Sequence, residues 1–159
     1  MPTSTYELIT AATPGATTSY TFSSIPSTYT NLVLVSNATS GATIDFRFNG
    51  DTGSNYSGVE MWGPNGADIY TQKDNATAGT LRDSGTTLGN NPSVLNIQQY
   101  KNTNVYKHFV SEMNDDRYNR AYRRQGYWAN TSAITSIIVY STVSWDAGST
   151  FTLYGIKGA

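Results

Sequence analysis

His108 is the only histidine in the chain, so it is the first candidate for a general base that activates a serine nucleophile. A Ser–His–Asp site of the hydrolase type presents its serine in a G-x-S-x-G elbow, and the sequence contains no such motif. Valine and phenylalanine occur on both sides of His108, in an alternation typical of a strand. The sequence therefore predicts a strand residue here, and we assign no catalytic residue.

A second candidate is a calcium site in residues 51–55, where Asp51, Ser54 and Asn55 offer side-chain oxygens as the start of a calcium loop does. A calcium loop of the EF-hand type also needs a glycine at its sixth position and a glutamate at its twelfth, where Tyr56 and Trp62 stand. The alternative is a tight hairpin turn, because the preceding Asn49-Gly50 favours positive φ after a strand. We expect the hairpin and assign no metal, and calcium stays open as the alternative.

Charged side chains cluster after residue 111, where two carboxylates could form the acid pair of a glycosidase. Asp115 and Asp116 are adjacent, however, and would point to opposite faces of a strand. Nearby guanidinium groups would also lower the carboxyl pKa values, which is the wrong direction for an acid catalyst. With Glu112, these acids predict an exposed loop whose charges pair with each other or with a neighbouring subunit. The arginines assigned to this candidate interface are Arg117, Arg120, Arg123 and Arg124.

Aromatic side chains suggest a fourth chemistry, the stacking of sugar rings. Polar and aromatic residues alternate around a glycine in residues 122–128, a pattern that fits a surface or an interface better than a core. Most aromatic residues of a β-protein pack in the core or in cross-strand pairs, which is the simpler interpretation of any one of them. We nevertheless assign Trp62, Tyr127 and Trp128, together with the arginines, as candidate interface or glycan contacts.

Composition excludes several classes of function. The 159 residues include no cysteine, so a disulfide scaffold, a thiolate zinc site and a cysteine nucleophile are all impossible. A net charge of −1 provides no basic surface for nucleic acid, and no apolar run approaches the length of a membrane helix. The first five residues lack the features of a secretory signal, which predicts cytosolic synthesis. We expect no cofactor.

The elements that must position these residues are strands. Thr, Ser and Asn account for 23, 17 and 14 residues, and apolar positions recur with period two. Residues 74–92 form the longest irregular stretch. We predict one all-β domain over residues 1–159, a jelly-roll-like antiparallel sandwich of eight to ten short strands. The predicted strands are residues 6–10, 19–23, 32–35, 42–48, 67–72, 93–99, 104–112, 121–129, 134–140 and 149–157.

Five segments resemble a group of virion proteins of tailed bacteriophages. They are SSIPSTYTNL at 23–32, FRFNGDTGSNYS at 46–57, NTNVYK at 102–107, WANTSAITSI at 128–137 and AGSTFTLYGIKG at 147–158. The similarity runs in order over most of residues 6–158, and its last segment is the most specific.

This resemblance implies a small jelly-roll domain that oligomerises on the virion and has no catalytic residues. We expect a non-enzymatic capsid decoration or cement protein, a dimer or trimer that contacts the major capsid protein and stabilises the assembled head. The alternative is a tail-fibre domain that binds a glycan on the host surface, and the motifs do not separate head from tail. No nucleic acid or membrane partner is expected.

Overall fold

The computed structural model describes residues 5–38, 42–63, 69–82, 92–115 and 120–157, which form twelve strands and no helix. Within these ranges there is accordingly no helix long and apolar enough to cross a membrane. The strands are β1 (Tyr6–Ala12), β2 (Ser19–Phe22), β3 (Asn31–Asn37), β4 (Ile44–Phe48), β5 (Tyr56–Gly63), β6 (Ile69–Ala76), β7 (Gly79–Arg82), β8 (Ser93–Ile97), β9 (Lys107–Asp115), β10 (Arg120–Trp128), β11 (Ile137–Ser141) and β12 (Thr150–Ile156).

Two antiparallel sheets pack against each other as a β-sandwich, which confirms the predicted all-β class. The larger sheet has the order β1-β12-β3-β8-β9-β10-β5-β6, and the smaller has the order β2-β11-β4-β7. Strand β1 pairs with β12 and β3 with β8 in the larger sheet, while β2 pairs with β11 and β4 with β7 in the smaller sheet. Successive pairs of strands along the chain thus lie alternately in the larger and the smaller sheet, which is the winding of a jelly roll.

Four further strands extend the larger sheet beyond this eight-strand unit, so the number of strands exceeds the predicted eight to ten. The added strands form two antiparallel pairs, β5 with β6 and β9 with β10, and β10 joins the pairs along β5. Strand β5 was not predicted, because its two glycines and a buried Glu60 interrupt the alternation. Strand β7 and the last three residues of β6 lie inside the stretch predicted to be irregular, so that prediction was wrong at residues 74–76 and 79–82.

The core lies between the sheets and is formed by alternate residues of each strand. In β4, Ile44, Phe46 and Phe48 are completely buried, whereas the intervening Asp45 and Arg47 face outward. The Phe46 ring occupies the space where a side chain at Gly79 would lie, since a Cβ there would come within 2.2 Å of the ring. This glycine therefore permits the close packing of β7 on β4.

The Asn49-Gly50 turn forms as predicted, but it does not make a hairpin. Asn49 and Gly50 have φ angles of 53° and 68°, and the Asp51 amide donates to the Phe48 carbonyl at 2.9 Å. The next strand, β5, belongs to the other sheet and pairs with β10 and β6. The expected hairpin was wrong, because β4 is already paired on both edges by β11 and β7.

Candidate binding surface

The outer face of the larger sheet, which is turned away from the smaller sheet, carries most of the large exposed apolar side chains. Strand register and alternation place five of them on this face: Tyr6, Leu8, Met61, Tyr106 and Tyr127. Valines of the central strands lie between them, including the buried Val33. Exposed apolar patches mark candidate interaction sites on a protein, and this face carries two of them.

At one edge of this face, the side chains of β1 and β12 form a surface that we call the β1 patch, comprising Tyr6, Leu8, Tyr154 and Ile156. Leu8 is 60% exposed, and the Tyr6 ring packs edge-on against Tyr154 with 6.5 Å between centroids. On the opposite face of the same two strands, Lys157 Nζ donates to Glu7 Oε1 at 2.5 Å, and the Tyr29 hydroxyl donates to Glu7 Oε2. The hydrogen bond between Lys157 and Glu7 lowers the pKa of Glu7 and raises that of Lys157, so both groups are ionised and their opposite charges cancel.

Five strands away, three side chains form what we call the tyrosine platform: Tyr106, His108 and Tyr127. The Tyr106 and Tyr127 rings are nearly parallel, with 10° between their planes and 6.0 Å between centroids. His108 lies directly opposite Tyr127 in the register of β9 and β10, and their ring centroids are 6.2 Å apart. Tyr106 is 50% exposed and Tyr127 is 37% exposed. The platform therefore presents aromatic surface to solvent.

Trp128 does not belong to this surface, so its assignment as a glycan contact was wrong. Its side chain is 1% exposed and stacks on Tyr56 in the core. Its indole Nε1 donates to Asp51 Oδ2 at 2.6 Å. Adjacent strand residues point to opposite faces, so Trp128 turns inward when Tyr127 turns outward.

The candidate arginines and Trp62 are likewise divided between the two faces of the sheet. Arg124 faces the core, and its Nε lies 2.7 Å from Glu60 Oε2 in an ion pair that is almost completely buried. Arg123 faces outward and pairs with Glu112 at 3.2 Å, where both side chains are about half exposed. Trp62 is half-buried on the inner face, where it stacks on Tyr122.

Of the remaining charged candidates, the structure describes only those at the end of β9 and the beginning of β10. Arg120 is the first residue of β10 and Asp115 is the last of β9. Arg117 and Asp116 lie outside the described residues. The structure therefore does not assemble the candidate contacts into one site, and it removes Arg124 from the predicted interface because Glu60 already neutralises it in the interior.

The residues considered for calcium form a hydrogen-bonded turn around one carboxylate. Asp51 Oδ1 accepts from the Gly53 amide at 2.8 Å, and Oδ2 accepts from Asn55 Nδ2 at 2.8 Å and from Trp128. Burial raises the pKa of Asp51, but these hydrogen bonds outweigh burial and lower the pKa below its ordinary value. The described residues include no cluster of three or more histidine or acidic side chains suited to hold a metal.

One buried charge was not anticipated from the sequence. Lys107 is completely buried, and its Nζ donates to the carbonyl oxygens of Asn102, Val105 and Thr131. Burial lowers the pKa of this ammonium group. Since Lys107 lies between Tyr106 and His108, its inward anchor fixes the backbone beneath the platform.

The platform itself was only partly predicted. Tyr127 was named, whereas Tyr106 was not singled out and His108 was interpreted only as a strand residue. The available signal was the alternation of Tyr106 and His108 on either side of an inward Lys107. Comparison of the chain with protein-family models and with curated proteins finds no match.

Proposed function

We propose that this protein is a non-enzymatic virion structural protein of a tailed bacteriophage, a decoration protein that binds the capsid and stabilises the head. The main support is that the reactive side chains form internal contacts, whereas apolar side chains are exposed. Glu60, Arg124, Asp51 and Lys107, which are groups that could do chemistry, are engaged in internal contacts. The exposed outer face instead presents tyrosine, leucine and methionine, which suits binding through contact area.

The five sequence segments that resemble phage virion proteins support the same role. The C-terminal segment contains the whole of β12, which lies between β1 and β3 in the jelly-roll unit. A closely paired sandwich of this kind suits a particle that persists outside the cell. In the proposed role the chain is made in the host cytoplasm and reaches its working environment as part of the particle.

We assign the β1 patch to self-association into a dimer or trimer, with the major capsid protein as the second partner. In a two-fold dimer the same surface meets itself, so an isolated charge would face its like. The four side chains of the β1 patch carry no charge, which suits such self-contact. Leu8→Glu would place a carboxylate at the centre of the patch and should shift the protein to monomer in light scattering.

Electron cryomicroscopy of the phage particle tests the role directly. We expect density with the shape of the sandwich at repeated positions on the head, and antibody to the protein should label the head. Labelling confined to the tail tip would overturn the decoration role. A stable monomer at high concentration would overturn the self-association assigned to the β1 patch.

The alternative function, a tail-fibre domain that recognises a host glycan, is favoured by a separate observation. The tyrosine platform offers exposed parallel rings of the kind that bind sugars. Whether the platform binds a glycan does not depend on whether the protein lies on the head or on the tail.

A further inference from the structure

We propose that Tyr106, His108 and Tyr127 bind a neutral pyranose ring of a glycan or polysaccharide. Tyrosine offers a flat apolar face and a polar hydroxyl, a combination that suits the apolar C–H face and the hydroxyl rim of a sugar. The two tyrosine rings stack nearly parallel and both are partly exposed, so that one sugar ring can contact the stack at its solvent-facing surface. This inference does not rest on the virion role.

Polar side chains surround the platform on the same face. Gln98 is the neighbour of His108, since the Gln98 amide donates to the His108 carbonyl at 2.9 Å. Gln125 lies two residues before Tyr127 and therefore points the same way. All three polar side chains, Gln98, His108 and Gln125, are exposed. Within the described ranges, no residue forms a hydrogen bond to any of them, so they are available to orient sugar hydroxyls.

The platform is held rigidly from below. Strands β9 and β10 pair without interruption from Lys107–Trp128 to Asp115–Arg120. Phe109 lies against Gly126, where a Cβ would come within 2.8 Å of the ring. The inward Lys107 fastens the segment before β9 to the carbonyl of Thr131. A rigid site loses little conformational entropy on binding, which favours a weakly interacting ligand such as a sugar.

The charges near the platform favour a neutral ligand over a nucleic acid. Single-stranded nucleic acids also stack on exposed aromatics, but their sites add a positively charged groove along the phosphates. Here the nearest strand lysine, Lys107, is buried and turned inward. Arg123 lies four residues from Tyr127 on the same face and is paired with Glu112. The whole chain carries a net charge of −1.

NMR titration of the uniformly ¹⁵N-labelled full chain tests this proposal. The probes are neutral tetrasaccharides of glucose, mannose, galactose and N-acetylglucosamine, each added to about 10 mM, a range that detects binding of a few kcal/mol. We expect at least one of them to shift the amide signals of residues 106–108 and 125–127. Tyr106→Ala and Tyr127→Ala should each weaken that binding by roughly tenfold, whereas Tyr127→Phe should retain most of it.

Tyr6→Ala is the matched control, because Tyr6 is equally exposed on the same face but lies in the β1 patch. Its affinity for the sugar should equal that of the wild type. If an alanine variant fails to fold, the map of shifted amides in the wild type still tests the location.

Four results would overturn the proposal. They are the absence of any shift with all four sugars, shifts centred away from the platform, and sugar binding that survives both Tyr106→Ala and Tyr127→Ala. The fourth is binding of an oligothymidylate, but no sugar, with loss in those variants, which would identify a nucleic-acid platform instead.

Discussion

The Trp128 indole donates a partly buried hydrogen bond to the Asp51 carboxylate, Nε1 to Oδ2 at 2.6 Å, which connects the end of β10 to the turn after β4. The Ala129 amide reinforces this connection by donating to the Asn55 carbonyl at 2.7 Å. Asn55 in turn donates its side-chain amide to the same carboxylate. The residues that suggested calcium and the tryptophan that suggested a sugar contact therefore stabilise one another.

Asp51→Asn should lower the free energy of unfolding by about 1–3 kcal/mol. An asparagine side chain has one oxygen and one NH₂ group, so one of the donors that Asp51 now accepts from would face another donor. Urea unfolding at neutral pH, followed by tryptophan fluorescence, measures the change. Asp146→Asn, at an exposed position, serves as control and should stay within about 0.5 kcal/mol of the wild type.

The stabilisation by Asp51 should depend on pH in a defined direction. The hydrogen bonds lower its pKa in the folded state below the ordinary value of 3.8. Between the folded and the unfolded pKa, the folded protein therefore binds fewer protons than the unfolded chain. The contribution of Asp51 to stability is complete above the unfolded pKa. It is lost as the pH falls through the folded pKa. The stability difference between wild type and Asp51→Asn should thus shrink between about pH 6 and pH 2. A constant difference would contradict this.

Removing one partner of the Glu60–Arg124 pair should greatly lower the free energy of unfolding, whereas replacing both partners with apolar residues should change it little. Arg124→Met leaves the buried Glu60 carboxylate without its cation and should cost about 3–5 kcal/mol in the free energy of unfolding. Replacing both residues, by Glu60→Leu with Arg124→Met, should recover most of that loss because no buried charge remains. Denaturant unfolding of the two single variants and the double variant measures the coupling.

The exposed Arg123–Glu112 pair is the matched control for the buried one, since Arg123 is the neighbour of Arg124 in β10 and pairs with the adjacent strand β9. Arg123→Met should change stability by less than about 1 kcal/mol, because solvent screens an exposed ion pair. Equal losses in Arg123→Met and Arg124→Met would show that burial is not what makes the Glu60 pair important.

Much of the fold could be predicted from the sequence because alternation is a local signal. The jelly-roll strands with a continuous apolar face, such as β4 and β12, appear where period two placed them. Strand β5 could not be recognised, because its inward Glu60 is made tolerable only by Arg124, which is distant in sequence. The same holds for β7, whose Gly79 is explained only by the Phe46 ring.

The candidate surface was harder to predict, because residue type alone does not tell which face of a sheet a side chain takes. Neighbouring residues Tyr127 and Trp128 were both assigned to the surface, yet alternation allows only one of them to point outward. The register then brings Tyr106 and His108 beside Tyr127, a relationship that depends on the pairing of β9 with β10. Pairing between strands is a long-range property that no single segment specifies.

Gly126→Ala should destabilise the protein by about 1–3 kcal/mol, because the new methyl group would overpack the junction of β5, β9 and β10. A Cβ at this position would lie 2.4 Å from the Ser57 carbonyl oxygen and 2.8 Å from the Phe109 ring. Gly148→Ala is the control, since nothing lies within 4 Å of a Cβ there. Thermal unfolding compares the two variants, and equal melting temperatures would contradict the close approach at Gly126.

Lys107→Met should lower the free energy of unfolding by about 1–3 kcal/mol and loosen the tyrosine platform. Methionine fills a similar volume but donates no hydrogen bond, so the carbonyls of Asn102, Val105 and Thr131 would lose the donor they share. Urea unfolding gives the stability, and amide hydrogen exchange of residues 102–106 reports the loss of local order. Lys101→Met, at an exposed position in the preceding turn, should change neither measurement. Unchanged exchange in Lys107→Met would mean that the segment before β9 is held by other contacts, and that the buried ammonium does not position Tyr106.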